Sequence, residues 1–196
     1  MKMKVKKNFS KVSTNRVITT YGKLCIKKEV GDNMKKIYII GPVGSGKTTF
    51  SKKLSKKYNI NRYELDKVSW DDDNGNIKRT DEEALKLFDE ILENDSWIIE
   101  DVGRNKFKKG REQADIIYYI KLCRLKSYYR VTKRWLKQRL GVESYNHPPT
   151  FKQLLYFISI VNSYYKNEKN KLKEMKEFQD KMIFLNNKKI KNILNK

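Results

Sequence analysis

Cysteine, proline and histidine are all scarce in this chain of 196 residues, which holds two cysteines, three prolines and one histidine. Cys25 and Cys123 lie far apart without metal or redox spacing, so a disulfide scaffold is excluded and free thiols in a cytoplasmic setting are expected. The lone His147, beside Pro148 and Pro149, reads as a loop residue rather than a catalyst. No run of about 18 apolar residues occurs, so no spanning helix and no membrane partner are expected. The opening MKMKVKKNFSKVS is basic with no apolar core behind it and does not read as a secretory leader. Acidic residues are also short, 23 against 45 basic ones, for a net charge of +22.

That charge is uneven. Residues 1–33 carry +7 and residues 34–120 carry +1, while residues 121–196, with 19 basic and 5 acidic side chains, carry +14. Such a field favours anionic partners such as nucleotides or nucleic acid. Because 36 of the 45 basic residues are lysines, a plain compositional bias competes with that reading. Twelve tyrosines, eight phenylalanines and three tryptophans supply enough apolar bulk for a folded domain.

Residues 1–33 differ from the rest and form a basic extension, with β-branched runs either side of Tyr21-Gly22 that suit a hairpin. From residue 34 onward, strand and helix patterns alternate. Strands are expected at 36–40, 62–65, 97–100, 114–122 and in KMIFLNN. Helices are expected at 46–58, from an N-cap at Thr80 to about 93, at 125–140, from 151 into the 170s, and over the last nine residues. A polar loop, DKVSWDDDNGNIKRT, separates the second strand from the Thr80 helix, and Asp71–Asp73 read as an acidic turn there. Trp70 and Trp97 read as sheet-edge or pocket packing. The alternation predicts an α/β fold with a parallel sheet covered by helices on both faces.

Between the first strand and first helix stands GPVGSGKTT, comprising Gly41, Pro42, Val43, Gly44, Ser45, Gly46, Lys47, Thr48 and Thr49. Its first eight residues match G-x-x-x-x-G-K-[ST] in full, and the strand-to-helix setting is the one this loop needs. Glycines let the main chain curl around an anion, and the helix N-terminus adds partial positive charge. Lys47 is expected at the β- and γ-phosphates, and Thr48 on Mg²⁺. A nucleoside triphosphate, ATP or GTP, is therefore the expected ligand.

The metal also needs an acid at the end of a neighbouring strand, and SWIIED offers Glu100 and Asp101. Strand side chains alternate faces, so one of the two is expected to face the phosphates. Asp66, at the end of the second expected strand, is placed to accept the proton of an attacking hydroxyl or to help hold the metal. Arg130 and Arg134, four apart on one helical face, can stabilise charge on a transferred phosphoryl group. Arg104 and Arg111 follow the third strand and are candidates to contact the acceptor. Phe151, Tyr156, Phe157, Tyr164 and Tyr165 follow near-helical spacing and are expected to bury against the sheet or a second copy of the chain.

From residue 34 to about 135 the sequence resembles the adenylate-kinase-like P-loop proteins known as DNA topology modulation proteins. The shared motifs are GPVGSGKTT, YELDKVSW, WIIED, ADIIYYI and the Arg130/Arg134 pair. The resemblance implies a P-loop NTPase fold with a five-stranded parallel sheet in the order 2-3-1-4-5. It also implies a helical lid at about 125–150, and ATP or GTP with Mg²⁺. In that family's register Glu100 stands where an aspartate is usual and Asp101 where a glycine is usual.

These readings converge on a phosphotransferase moving a γ-phosphoryl group to a small acceptor, with a hydroxyl favoured by Asp66. A nucleotide-regulated nucleic-acid-binding protein acting through the basic C-terminal half, a nucleoside monophosphate kinase, and an NTPase without an acceptor are the competing readings.

Overall fold

The computed structural model describes residues 35–71, 77–145 and 148–195. The expected N-terminal hairpin, Asp72 and Asp73 of the acidic turn, Cys25 and His147 lie outside these residues. The segment KIYII becomes β1 (Lys36–Ile40), buried except at its first residue. The loop of residues 41–46 leads into α1 (Lys47–Tyr58), whose Phe50, Ser51 and Leu54 turn inward. Then come β2 (Arg62–Glu64), α2 (Leu65–Ser69), β3 (Trp70–Asp71), β4 (Ile77–Lys78) and α3 (Asp81–Leu92).

After β5 (Trp97–Asp101), a 3₁₀ turn (Asn105–Phe107) runs into α4 (Lys108–Gln113). β6 (Ile116–Ile120) is followed by two long helices, α5 (Arg124–Arg139) and α6 (Phe151–Glu174). A second 3₁₀ segment (Met175–Lys181), β7 (Met182–Leu185) and α7 (Asn187–Asn195) follow.

Five strands form one parallel sheet in the order β2-β5-β1-β6-β7. Counting only these strands along the chain, that is 2-3-1-4-5, the order the family resemblance implies. β1, β5 and β6 are buried and largely apolar because helices cover both of their faces, with β5 ending in the two acids Glu100 and Asp101. Each fully buried Ile in them contributes about 1.5–3 kcal/mol through removal of its side chain from water.

One core cluster lies under α3 and α4 and includes Tyr38, Phe88, Trp97, Phe107 and Ile117. Trp97 is completely buried in β5, paired between β1 and β2, and so belongs to the core rather than to an edge or pocket. A smaller cluster around Val131, Leu154 and Val161 holds α5 against α6.

α3 starts where its chemistry demands. The Thr80 hydroxyl accepts from the Glu83 amide at 3.2 Å, and the Glu83 carboxylate accepts from the Thr80 amide at 2.8 Å. This reciprocal pair satisfies two donors that a helix start otherwise leaves unpaired.

The structure departs from the sequence reading between residues 65 and 79. The expected polar loop instead contains α2 and the antiparallel pair β3–β4. β2 also stops at Glu64, so Asp66 sits in the first turn of α2 rather than at a strand end. Buried Leu65, Val68 and Ser69 dock that short helix. Burial against the sheet and α3, rather than intrinsic propensity, makes five such residues helical.

The aromatic set on α6 divides. Tyr164 is buried and its hydroxyl lies 2.9 Å from that of Tyr119, whereas Phe151 and Tyr156 are exposed. Among the described residues, no helix is long and apolar enough to cross a membrane.

Candidate active site

Two backbone angles shape the loop between β1 and α1. Gly44 has φ +76° and Gly46 φ +93°, both in the left-handed region that favours glycine. Gly46 caps α1 without any side-chain hydrogen bond to its first turn, so main-chain N–H groups at that helix start are left for a ligand. The Ser45 hydroxyl is buried and, among the described residues, has no hydrogen-bond partner. An orphaned donor and free amides at a helix start fit an anionic phosphate.

The Lys47 ammonium donates to the carbonyls of Gly41 (2.9 Å) and Pro42 (3.0 Å), folding back over the loop. Burial pulls its pKa below the usual lysine range, while the negative charges of Glu100, Asp66 and Asp101 oppose that shift. Thr49 is exposed beside Thr48, and Val43 packs toward the α5–α6 cluster.

Glu100 and Asp101 point in opposite directions, as alternation along a strand requires. The Glu100 carboxylate accepts from the Thr48 hydroxyl at 2.9 Å and from the Ser51 hydroxyl at 3.2 Å. Arg62 stands 3.8 Å away from it. Burial, then neighbouring Glu64, raises the Glu100 pKa, and the Thr48 and Ser51 hydrogen bonds and Lys47 pull it back.

Asp101 turns to the other face. It accepts from the amides of Gly103 (2.9 Å) and Arg104 (2.6 Å), from the Arg104 guanidinium (2.9 Å) and from the Tyr38 hydroxyl (3.4 Å). Thr48 and Glu100 together offer a hydroxyl and a carboxylate, the hard oxygen donors suited to a Mg²⁺ that also keeps water and phosphate ligands. Among the described residues no three His, Cys, Asp or Glu side chains cluster as a metal cage.

Asp66 projects from α2 with 70% of its side chain exposed and is ion-paired to Arg104. Arg104 thus bridges the exposed Asp66 and the fully buried Asp101 carboxylate. The two carboxylates raise its pKa, although burial works against them. The Arg111 guanidinium donates to the Arg104 carbonyl at 2.8 Å and steadies the same turn from beneath. From α6, Lys171 donates to the Val102 carbonyl at 2.8 Å.

Arg130 and Arg134 do not converge on this cluster. Arg130 donates to the Gly44 carbonyl at 2.9 Å, on the flank of the loop, and Arg134 lies 6.0 Å from the centroid of Phe157. Both line a cavity of about 30 Å³ between Val43–Gly44 and α5, closed by Trp135 and Phe157. Among the residues at the site that were not singled out from the sequence are Ser51 and Lys171. Ser51 had a usable signal, since it lies three residues after Thr48 on the same helical face. Lys171 had none, being one lysine among many.

The described arrangement is that of a P-loop kinase-like fold. A crystal structure of a gluconokinase from Sinorhizobium meliloti 1021 superposes with a TM-score of 0.50 at 14% identity, covering 82% of this chain and 87% of that one. A shikimate kinase from Acinetobacter baumannii, in complex with shikimate, gives a TM-score of 0.42 at 16% identity over 69% and 80% of the two chains. No curated protein matches the sequence. The profile of the AAA domain family matches residues 37–142, from β1 through the loop and β5 to the end of α5. With more than half of its length so matched, the chain belongs to the AAA domain family.

Proposed function

We propose that the protein is a phosphotransferase that moves the γ-phosphoryl group of ATP or GTP to a hydroxyl of a small acceptor. The observation that carries this reading is the juxtaposition of two half-sites at the carboxyl end of the sheet. One is the glycine loop with the 2.9 Å Thr48–Glu100 contact, and the other is the Asp66–Arg104 pair. Residues 41–49 hold the triphosphate, and Lys47 releases its carbonyl contacts to reach the β- and γ-phosphates. Thr48 and Glu100 are the residues that would hold Mg²⁺, while Asp101 serves by fixing Arg104. When bound, the ion neutralises charge on the β- and γ-oxygens.

Asp66 accepts the acceptor's hydroxyl proton as the hydroxyl oxygen bonds to the γ-phosphorus. The bond from that phosphorus to the bridging oxygen breaks, and the nucleoside diphosphate leaves with the electron pair. Arg104 orients Asp66 and stays charged throughout. Arg130 and Arg134 line the small cavity beside Gly44 in the arrangement described above. In this reading they close over the loop once nucleotide is bound, as parts of a lid spanning about residues 125–150.

A gluconokinase is built on the same fold, which is in keeping with a hydroxyl acceptor. Arg79, the only arginine between α2 and α3, donates to the carbonyls of Lys67 and Trp70 (both 2.7 Å) and pairs with Asp71 (3.2 Å). That commitment disfavours a monophosphate acceptor gripped from this region. Motif likeness to the DNA topology modulation proteins and the +14 charge of residues 121–196 favour a second reading, nucleotide-regulated binding of nucleic acid. Anisotropy with duplex DNA at several salt concentrations separates the two. Binding that fades near physiological salt and ignores nucleotide removes the second reading.

The principal test is calorimetry with ATP·Mg and GTP·Mg, followed by an acceptor screen that reads released diphosphate. Lys47→Ala is expected to lower phosphoryl transfer about a hundredfold or more. Transfer at the wild-type rate in that variant would overturn the proposal.

A further inference from the structure

The ammonium of Lys171 is an unusual cation among the many in this chain. It comes from the last two turns of α6, beyond the segment matched by the family profile. Its Nζ donates to the Val102 carbonyl at 2.8 Å and stands 4.6 Å from the centroid of the Tyr164 ring. Its Cδ lies 3.9 Å from the point where a Cβ on Gly103 would sit, so the stem lies across the turn that follows β5. Among the described residues it has no carboxylate within ion-pair distance, unlike Arg104 beside it.

The charges that Lys171 does sense are those of the transfer site: Asp101 attracts it, Arg104 and Lys47 repel it, and Glu174 attracts it from its own helix. Burial depresses its pKa. A half-buried ammonium that, among the described residues, meets a carbonyl and an aromatic face but no carboxylate is under-compensated for lost hydration. Held across the turn whose Arg104 pairs with Asp66, it adds positive potential at the acceptor side of the glycine loop.

We infer that Lys171 is a further catalytic residue, contacting the equatorial oxygens of the γ-phosphoryl group during transfer. This rests on the phosphotransferase reading and deepens it. Negative charge spreads over those oxygens as the group moves between the bridging oxygen and the acceptor, so a preorganised cation there acts more strongly on the transition state than on the bound diphosphate. Lys171 moves no proton. It exchanges its bond to the Val102 carbonyl for one to a phosphoryl oxygen.

The test needs no acceptor. Affinity for ADP·Mg is measured by calorimetry with and without aluminium fluoride, a planar stand-in for the moving phosphoryl group. The full chain, Lys171→Met, Lys171→Arg and Lys47→Ala are compared. Lys171→Met is expected to bind ADP·Mg within about threefold of the unaltered chain. It should lose about tenfold or more of the extra affinity that aluminium fluoride confers, with most of this restored in Lys171→Arg.

An aluminium fluoride gain in Lys171→Met equal to that of the unaltered chain overturns the inference, as does a change confined to melting temperature, which marks a helix anchor only. Lys47→Ala tells the two failures apart. If it binds ADP·Mg as the unaltered chain does, the underlying phosphotransferase reading fails. If it loses binding while Lys171→Met keeps its fluoride gain, only the role of Lys171 falls.

Discussion

Gly44 and the two adjoining carboxylates of β5 show how much single residues decide here. A Cβ on Gly44 would lie 3.3 Å from the Arg130 Cβ while the backbone holds φ +76°. Gly44→Ala therefore combines left-handed strain, costing about 1–2 kcal/mol, with pressure on the arginine that flanks the loop. Calorimetry should show weakened nucleotide binding in a protein that still melts cooperatively.

Glu100 and Asp101 are neighbours with separate tasks, and their variants should fail differently. Glu100→Gln is expected to reduce the Mg²⁺ dependence of nucleotide affinity about 10–100-fold, read by titrating Mg²⁺ at fixed ATP. Asp101→Ala leaves the Arg104 guanidinium without its buried partner and should cost on the order of 3 kcal/mol of stability, read by urea denaturation. Equal Mg²⁺ responses in the two variants would contradict this division of labour.

Among the elements, α3 owes its start to the Thr80–Glu83 pair. Thr80→Ala should cost about 1 kcal/mol, measured as a shift in denaturation midpoint. The hydrogen bond from the Thr80 amide, then that from its hydroxyl, holds the Glu83 carboxyl below its usual pKa. Its folded-state value is thus depressed, and the stabilisation it gives is complete above the unfolded-state pKa. That contribution disappears as pH falls through the folded-state value. The acid-side loss of stability should be shallower in Glu83→Gln.

α4 is set by proximity. A Cβ on Gly110 would come within 2.7 Å of Phe88 Cζ and 2.9 Å of Tyr38 Cε2, so Gly110→Ala should cost about 1–3 kcal/mol through overpacking. The capping signal was legible in the sequence because it is local. The close approach of α4 to Tyr38 and Phe88 was not, because the three residues meet only in the fold. The same holds for α2, whose five residues become helical by docking rather than by their own preference.

For the whole molecule, the charge of +22 has a consequence independent of any partner. Like charges along one chain repel, and salt shortens the reach of that repulsion from about 30 Å at 0.01 M to about 8 Å at 0.15 M. The apparent melting temperature should therefore rise as NaCl is increased over that range. A flat or falling curve would show that the lysines are locally compensated. The sheet order, with β1 at the centre and the loop opening at its carboxyl end, is what brings α2, the β5 turn and α6 to one place.

The sequence by itself determined the glycine loop and the strand–helix alternation that calls for a parallel sheet, since both rest on short-range spacing and on which residues must be buried; the order of the strands was implied only by motif resemblance. It also brought forward Glu100 and Asp101 as a pair, but not which of them would meet Thr48, because a strand's period leaves both faces open until its neighbours are in place. Only the tertiary structure decided that Asp66 meets Arg104, that Arg130 and Arg134 lie on the loop's flank, and that one lysine of α6 reaches the end of β5. Those contacts join segments 38 to 86 residues apart, and no local pattern encodes a distance closed by packing alone.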